Sequence, residues 1–326
     1  MKVCVIGGSG FVGSKLISIL DKNNTVNIDK RESPFFNKIT TITDIRNKDQ
    51  INFSKEIDSV VLLAAEHRDD ISPKSLYYDV NVKGTQNILE KMDESNIKSL
   101  IFTSSVAIYG LNKKNPSENH EKDPFNDYGK SKWEAEKLIK KWYENDPTNK
   151  SVVIIRPTVI FGERNRGNVY NLLKLIMSGK FLMIGKGLNK KSMAYVGNIA
   201  SLIKFKLINN QNKLSIYNYS DKPDLNMLEL VSFIENKTNI KTPKLQIPYL
   251  LGMMGGYVFD FISFITNRKL PISSVRVKKF CATTRFDSKK IHLEFNPKFT
   301  LKEGLDKTIN HEFINDETDD VLFYSE

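Results

Sequence analysis

Cysteine is nearly absent: Cys4 and Cys281 are the only two in 326 residues. Two distant thiols offer neither a metal-binding spacing nor a disulfide framework, so both read as small core residues and no metal is expected. A secretory leader is missing too. Met1 and Lys2 run directly into "VCVIGG", without a charged start, an apolar middle and a small-residue cleavage site, so a cytoplasmic protein is expected. No internal repeat and no low-complexity tract interrupts the chain. Acidic residues are too few to balance the basic ones: 38 Asp and Glu against 49 Lys and Arg leave a formal charge of +11. Such a surplus suits an anionic partner. No helix-turn-helix, zinc-finger or RNA-binding signature accompanies it, which argues against nucleic acid and leaves phosphate or an anionic membrane. Basic residues thicken in "NRKLPISSVRVKKF", whereas the tail "NDETDDVLFYSE" is acidic and reads as peripheral.

Long apolar runs are also scarce, with one exception. "IPYLLGMMGGYVFDFISFI", Ile247 to Ile265, carries a single formal charge in nineteen residues. A bilayer span needs roughly twenty apolar residues, and Pro248, Gly252, Gly255, Gly256 and Asp260 weaken that reading. Two alternatives stay open: a buried helix of a small domain, or an exposed helix that docks on a membrane surface.

The first half of the chain reads as a dinucleotide-binding domain. "KVCVIGGSGFVGSKLISIL" is a buried strand, a glycine turn and a helix with apolar residues at Phe11, Leu16, Ile19 and Leu20. Gly7, Gly10 and Gly13 allow a sharp turn, close approach of a pyrophosphate and tight helix–strand packing, and the helix N-terminus then faces the phosphates. Phe11 and Val12 belong to the same loop. The next strand, "NTVNIDK", ends at Asp29, where a carboxylate can accept from both adenosine ribose hydroxyls. That favours NAD, although Lys30 and Arg31 could instead accommodate a ribose phosphate. "DSVVLLAA", "SLYYDVNVKGTQNILEKM" and "IKSLIFTSS" continue the strand–helix alternation. The pattern predicts an α/β fold, a doubly wound parallel sheet covered on both faces. Residues 1–160, completed by about 193–219, are expected to form this domain, with 161–192 and 220–326 a smaller substrate-binding domain.

At the end of one strand, "LIFTSSVAIYG" supplies hydroxyls at Thr103, Ser104 and Ser105, on the side of a parallel sheet where ligands sit. "DYGKSKWEAEKLIKKW" opens a helix in which Tyr128 and Lys132, four apart, share one face. A nearby ammonium stabilises a phenolate, so Tyr128 could serve as a general base near neutral pH. Tyrosine four before lysine also occurs by chance on ordinary surfaces. The glycine loop and the strand-end hydroxyls favour the catalytic reading.

In this order the glycine loop, "LLAAEH", "YDVNVKGTQN", "TSSVAIYG", the Tyr-x-x-x-Lys pair and "IRPTVIFG" resemble the extended short-chain dehydrogenase/reductase family of sugar epimerases and dehydratases, over essentially the whole chain. The resemblance implies that Ser105 holds the sugar oxygen, Tyr128 is the acid/base, and Lys132 orients the ribose and tunes Tyr128. By the same likeness Asp44 and Ile45 contact adenine, and Ala64 and Ala65 pass under the cofactor. Asn81, Thr103 and Pro157 complete the cofactor set, and Val106 lies beside the substrate. Dehydratases of the family carry an Asp-Glu pair where this chain has Val106 and Ala107, so the resemblance implies a 4-epimerase, or a 4-ketoreductase using the same three residues.

Longer matched runs, such as "YGLNKKNPSENHEKDPFNDYGKSKW" and "RPTVIFGERNRGNVYNLLKLI", resemble the bacterial branch whose substrate is N-acetylglucosamine linked through a diphosphate to undecaprenol. That likeness implies a role in surface polysaccharide (O-antigen, lipopolysaccharide) assembly at the inner face of the cell membrane. A soluble nucleotide-sugar 4-epimerase or ketoreductase, or a non-enzymatic member of the fold, stays open; the last predicts a broken triad, and this triad is intact. Asn168, Lys191 and Arg276 are candidates for the diphosphate, and each could equally be a plain surface group. Thr284 falls near a position that limits room beside the sugar, where a small residue leaves space for an N-acetyl group. A homodimer is compatible with this reading.

Overall fold

A computed structural model describes the chain except for residues 69–70, 112, 210–212, 267–272, 316–320 and 325–326. Seven strands form one parallel sheet: β1 (Val3–Ile6), β2 (Thr25–Asp29), β3 (Thr40–Ile42), β4 (Ser59–Leu62), β5 (Ser99–Thr103), β6 (Ser151–Pro157) and β7 (Leu214–Tyr219). Their spatial order is β7-β6-β5-β4-β1-β2-β3. The chain starts in the middle and winds outward in both directions, so the order reverses between β1 and β4, where Val3 pairs with Ser59 and Ile6 with Leu62. The expected α/β doubly wound sheet is thus present.

Buried on both faces, β1, β4 and most of β6 are apolar runs without alternation, as a covered parallel sheet requires. One face holds Ile6, Val60, Leu62, Leu100, Phe102 and Ile154 under helices α2 (Thr85–Glu94) and α3 (Asp127–Glu144), which contribute Ile88, Met92 and Ile139. The other face holds Val5, Val61, Ile101 and Ile155 under α1 (Phe11–Ile19) and α4 (Val196–Ile208). Ahead of α2, Asp79–Gly84 widens into a π-helical turn that contains Asn81. Insertions of this kind cluster at functional sites.

The chain divides into two compact units. The first comprises Met1–Asn168, Met193–Lys222 and Phe286–Glu326, and the second Val169–Ser192 and Pro223–Arg285. The last stretch groups with the sheet and not with the substrate unit, to which the sequence reading gave it. Its apolar residues explain the difference: Ile291 and Phe295 are buried in the core beneath β6 and β7, and Asp287 accepts from the Asn218 amide through its backbone carbonyl. Nor is the whole acidic tail peripheral. Phe323–Tyr324 pairs in parallel with Asn165–Arg166.

In the second unit the long apolar run forms one helix, Tyr249–Thr266, and its side chains face outward. It crosses a second helix, Ser274–Cys281, so closely that a Cβ on Gly256 would lie 2.7 Å from the Ser274 Cα. The basic segment expected beside it falls partly outside the described residues.

Candidate active site

The glycine loop fills the crevice where the strand order reverses. Gly7 follows β1 with φ +88°, a conformation that favours glycine, and a Cβ there would sit 2.5 Å from the Ala64 backbone nitrogen. Gly10 caps α1, and Gly13 lies so close beneath the turn that a Cβ would come within 2.4 Å of the Gly7 carbonyl oxygen. Ala64 itself donates its N–H to the Ile6 carbonyl, which brings the end of β4 against the loop. Phe11 and Val12 form the first turn of the helix and are half-buried.

Asn27 escaped the sequence reading. Its buried Oδ1 accepts from the Gly8 N–H at 2.9 Å, and its Nδ2 donates to Ser9 Oγ and Thr40 Oγ1. An amide in the middle of the otherwise apolar "TVNID" was the available signal, since such a group must find partners. Asp29, at the end of β2, accepts from the Ser9 and Arg31 N–H groups, one per carboxylate oxygen, and each oxygen keeps a lone pair for a further donor.

Lys30 turns its ammonium toward Glu66, at 3.9 Å. Burial works to raise the Glu66 pKa, but the Arg68 guanidinium and Lys30 prevail and hold it below the ordinary carboxylate value. A fixed carboxylate on Lys30 opposes a ribose phosphate at this corner and favours NAD. Asn81, named from sequence as a cofactor contact, stands behind this corner. Its Oδ1 accepts from the Glu66 N–H, and its Nδ2 donates to the Glu66 carbonyl and to Ser131 Oγ. With both donors spent and the side chain buried, it braces the strand end against α3. Asp44 is held by Arg46 in a two-pronged pair of 2.6–3.0 Å, while the side chain of Ile45 is buried against Gly84.

Ser105 comes from the turn after β5 and Tyr128 and Lys132 from α3, and one glycine brings the two elements together. Gly129 lets α3 start against the turn after β5: a Cβ on it would meet the Ala107 carbonyl at 2.8 Å. Asn126 caps the helix by accepting from the Gly129 N–H. Ser105 caps the turn Val106–Tyr109, accepting the Ala107 N–H at 3.1 Å, so its own hydroxyl proton is left to donate. Thr103 donates to the Leu62 carbonyl, and the Ser104 hydroxyl is buried with no partner among the described residues. Pro157 ends β6, buried beside Tyr219. The Tyr128 ring lies 6.4 Å from that of Tyr77.

Lys132 is buried, with its ammonium 4.2 Å from the centre of the Phe102 ring. Burial lowers its pKa to about 7, against a smaller opposing pull from Glu136. Glu136, one turn on, makes two bonds to Arg156 of 2.9 and 2.6 Å, and Arg156 also donates to the Tyr109 hydroxyl at 2.7 Å. Neither side chain of this pair is exposed at all. The glycine cradle that a Cβ would fill, the Asp29 carboxylate and the unpartnered Ser104 hydroxyl together fit a dinucleotide. Among the described residues no group of three metal-ligating side chains occurs.

Residues 4–245 match the 3-beta hydroxysteroid dehydrogenase/isomerase family. The chain belongs to this family. Within its extended short-chain dehydrogenase/reductase fold, the chain is 57% identical, over 99% of both chains, to N-acetyl-alpha-D-glucosaminyl-diphospho-ditrans,octacis-undecaprenol 4-epimerase of Escherichia coli O157:H7. It is 26% identical to UDP-glucose 4-epimerase of Vibrio cholerae over 94% of both. Among solved structures it resembles MoeE5 in complex with UDP-glucuronic acid and NAD (TM-score 0.72, 20% identity, 95% and 98% coverage). UDP-glucuronic acid 4-epimerase of Bacillus cereus in complex with NAD matches with the same score, identity and coverage.

Of the residues named from sequence for the substrate, Lys191, Arg276 and Thr284 lie in the second unit and Asn168 at its border. Asn168 is exposed, the first residue of the helix Asn168–Met177. Lys191 does not present a free cation. Its ammonium donates to the carbonyls of Lys279 and Ala282, where the helix Ser274–Cys281 ends, and burial pulls its pKa down to about 8. Uncapped carbonyls at a helix C-terminus attract such a group. Thr284 bridges to Lys191, exchanging backbone bonds with Lys190 and Ser192, and is exposed. Arg276 is exposed in the first turn of the same helix, and Val106 is half-buried in the turn after Ser105.

A buried amine with a lowered pKa costs stability. Below pH 7 it is charged in the folded and unfolded chain alike and the cost is full; between about 7 and its usual 10.5 only the unfolded chain keeps the proton, and the cost fades. Lys132→Met in the cofactor-free protein should therefore be more stable than the parent by about 1–4 kcal/mol near pH 6.5. Denaturant titrations across pH should show this gain shrinking steadily toward pH 10. A gain independent of pH would mean that Lys132 keeps its usual pKa in the fold and is charged there across the whole range.

Proposed function

We propose that this protein is an NAD-dependent 4-epimerase that interconverts N-acetylglucosamine and N-acetylgalactosamine while each is linked by diphosphate to undecaprenol, for surface polysaccharide assembly. The observation that carries the reading is the 57% identity, over 99% of both chains, to an epimerase with that carrier in its name. An intact Ser105, Tyr128 and Lys132, and the absence of proton-transferring side chains at Val106 and Ala107, support it.

Gly7, Gly10, Gly13 and Asp29 would hold NAD, whose nicotinamide, when bound, accepts the C4 hydrogen of the sugar and gives it back. The Ser105 hydroxyl donates to the sugar O4 and fixes it toward Tyr128. Tyr128 takes the O4 proton as the C4 hydrogen leaves and returns it to the same oxygen after the keto sugar has turned over. Lys132 contributes positive charge that favours the Tyr128 phenolate. Burial weakens proton binding at Lys132, so acceptors such as a ribose hydroxyl or a phosphate beside it would raise its charge.

A lipid-linked substrate requires the enzyme to come to the bilayer, and the apolar helix Tyr249–Thr266 suits that task. It is long and apolar enough to cross a membrane by length and composition alone, yet only 6% of it is buried. Leu250, Met254, Phe261 and Phe264 are 75%, 63%, 64% and 85% exposed. Its one charge is spent internally: Asp260 Oδ2 accepts from the Ser274 hydroxyl at 2.5 Å and from the Ser274 N–H. Gly256 packs on the neighbouring helix, whose Lys278 and Lys279 are exposed. An apolar face beside cations matches a docked, peripheral helix, each buried side chain contributing about 1.5–3 kcal/mol.

Two experiments test these points. Purified protein offered UDP-N-acetylglucosamine and its undecaprenyl-diphosphate counterpart should invert C4 only of the latter. Tyr128→Phe should lower that turnover by about 100 to 10,000-fold while NAD stays bound. Inversion of the nucleotide sugar alone would assign the protein to the soluble epimerases. For the helix, Phe261→Asp with Phe264→Asp should abolish flotation with anionic phosphatidylglycerol vesicles and leave fold and NAD content unchanged. A folded double variant that still floats would exclude docking through this helix, and resistance of the parent to alkaline carbonate extraction would make it a span.

A further inference from the structure

The acidic tail returns to the sheet at Phe323, at a place no catalytic reading uses. The Phe323 N–H donates to the Arg164 carbonyl at 2.9 Å, and its ring lies 5.8 Å from Phe11 and 6.5 Å from Phe35. Phe11 is the first residue of α1, directly after Gly10 of the loop that cradles the diphosphate. Phe35 lies six residues beyond Asp29, in the segment that leaves the ribose-binding end of β2. One ring thus bridges the two segments that flank the dinucleotide crevice. The strand it docks on is itself fixed: Glu312 accepts from the Arg164 N–H at 2.5 Å and pairs with Arg166 at 2.6 Å, and the Arg164 guanidinium lies 5.2 Å from the Phe35 ring.

We propose that Val321–Tyr324 is a clasp on the dinucleotide site, with Phe323 as the positioning residue that keeps the cofactor from leaving. The proposal rests on the NAD reading above. An epimerase regains its cofactor's starting state in every cycle and has no need to release it, so a closed mouth costs no turnover. Phe323 belongs to neither of the two hydrophobic clusters that cover the faces of the sheet. Moving one phenyl ring between water and an apolar seat changes an opening equilibrium by about 10 to 100-fold.

The test uses the full-length protein loaded with radiolabelled NAD and chased with excess unlabelled NAD. Phe323→Ala should release label about 10 to 100-fold faster than the parent, Phe323→Tyr should restore slow release, and a chain ending at Asn315 should behave like the alanine variant. Equal release rates for parent and Phe323→Ala would overturn the clasp while leaving the NAD reading intact. If the parent neither contains NAD nor takes it up, that reading fails and the clasp with it. Should Phe323→Ala not fold, the chain ending at Asn315 decides by the same rate, and failure of both to fold would show that the tail belongs to the core and overturn the proposal.

Discussion

The buried pair between Glu136 and Arg156 is the constraint on which the site depends. Arg156 stands on β6 and Glu136 on α3, both without solvent, and removing one partner of such a pair typically costs about 3–5 kcal/mol. The pair fixes how far α3 can rotate or slide on the sheet. Arg156 reaches on to the Tyr109 hydroxyl, and Tyr109 donates to Asn218 on β7. Burial pushes the Tyr109 pKa up to about 12, so that hydroxyl keeps its proton and the chain of bonds stays intact at any ordinary pH. The helix carrying Tyr128 and Lys132 and the turn carrying Ser105 are thereby held by one network. Glu136 also faces Lys132 one turn earlier, so the element that sets the geometry sets part of the electrostatics.

Much of this was legible because the signals are local. A strand, three glycines and a helix must be contiguous to make a phosphate cradle, and β2 ends at Asp29 as the acidic residue after an apolar run suggests. The spacing of Tyr128 and Lys132 fixes a common helical face without knowledge of the rest. What escaped is non-local. Arg156 in "VVIIRP" and Asn27 in "TVNID" are polar residues in buried strands, and their partners lie 20 and 18–19 residues away or on other elements. Lys191 shows the same limit: the sequence offers it as a diphosphate candidate or a plain surface cation, and the carbonyls to which its ammonium donates lie 88 and 91 residues on, at the end of another helix. The tail looked peripheral because its charge dominates its composition; the one aromatic ring that anchors it carries no periodic signal.

The two compact units differ in the groups they carry. The sheet unit holds the glycine loop, Asp29, Ser105, Tyr128 and Lys132, the groups to which the proposed reaction assigns cofactor binding and proton transfer. The second unit carries an outward apolar helix that a protein acting on a water-soluble sugar has no reason to keep, since exposed patches of this size mark binding surfaces or aggregation hazards. Its single carboxylate, Asp260, is turned inward onto Ser274 and leaves the outer face uncharged. The same residue supports the helix pair and keeps the face apolar.

In the proposed reaction the hydrogen taken from C4 returns to C4, and Tyr128 handles only the O4 proton. Substrate deuterated at C4 tests it most directly. After epimerisation of the lipid-linked sugar in ordinary water, mass spectrometry and NMR should find the deuterium still at C4 of the inverted product, on the opposite face. Deuterium lost to solvent, replaced by a proton from water, would mean that C4 is deprotonated and reprotonated, and would contradict the account.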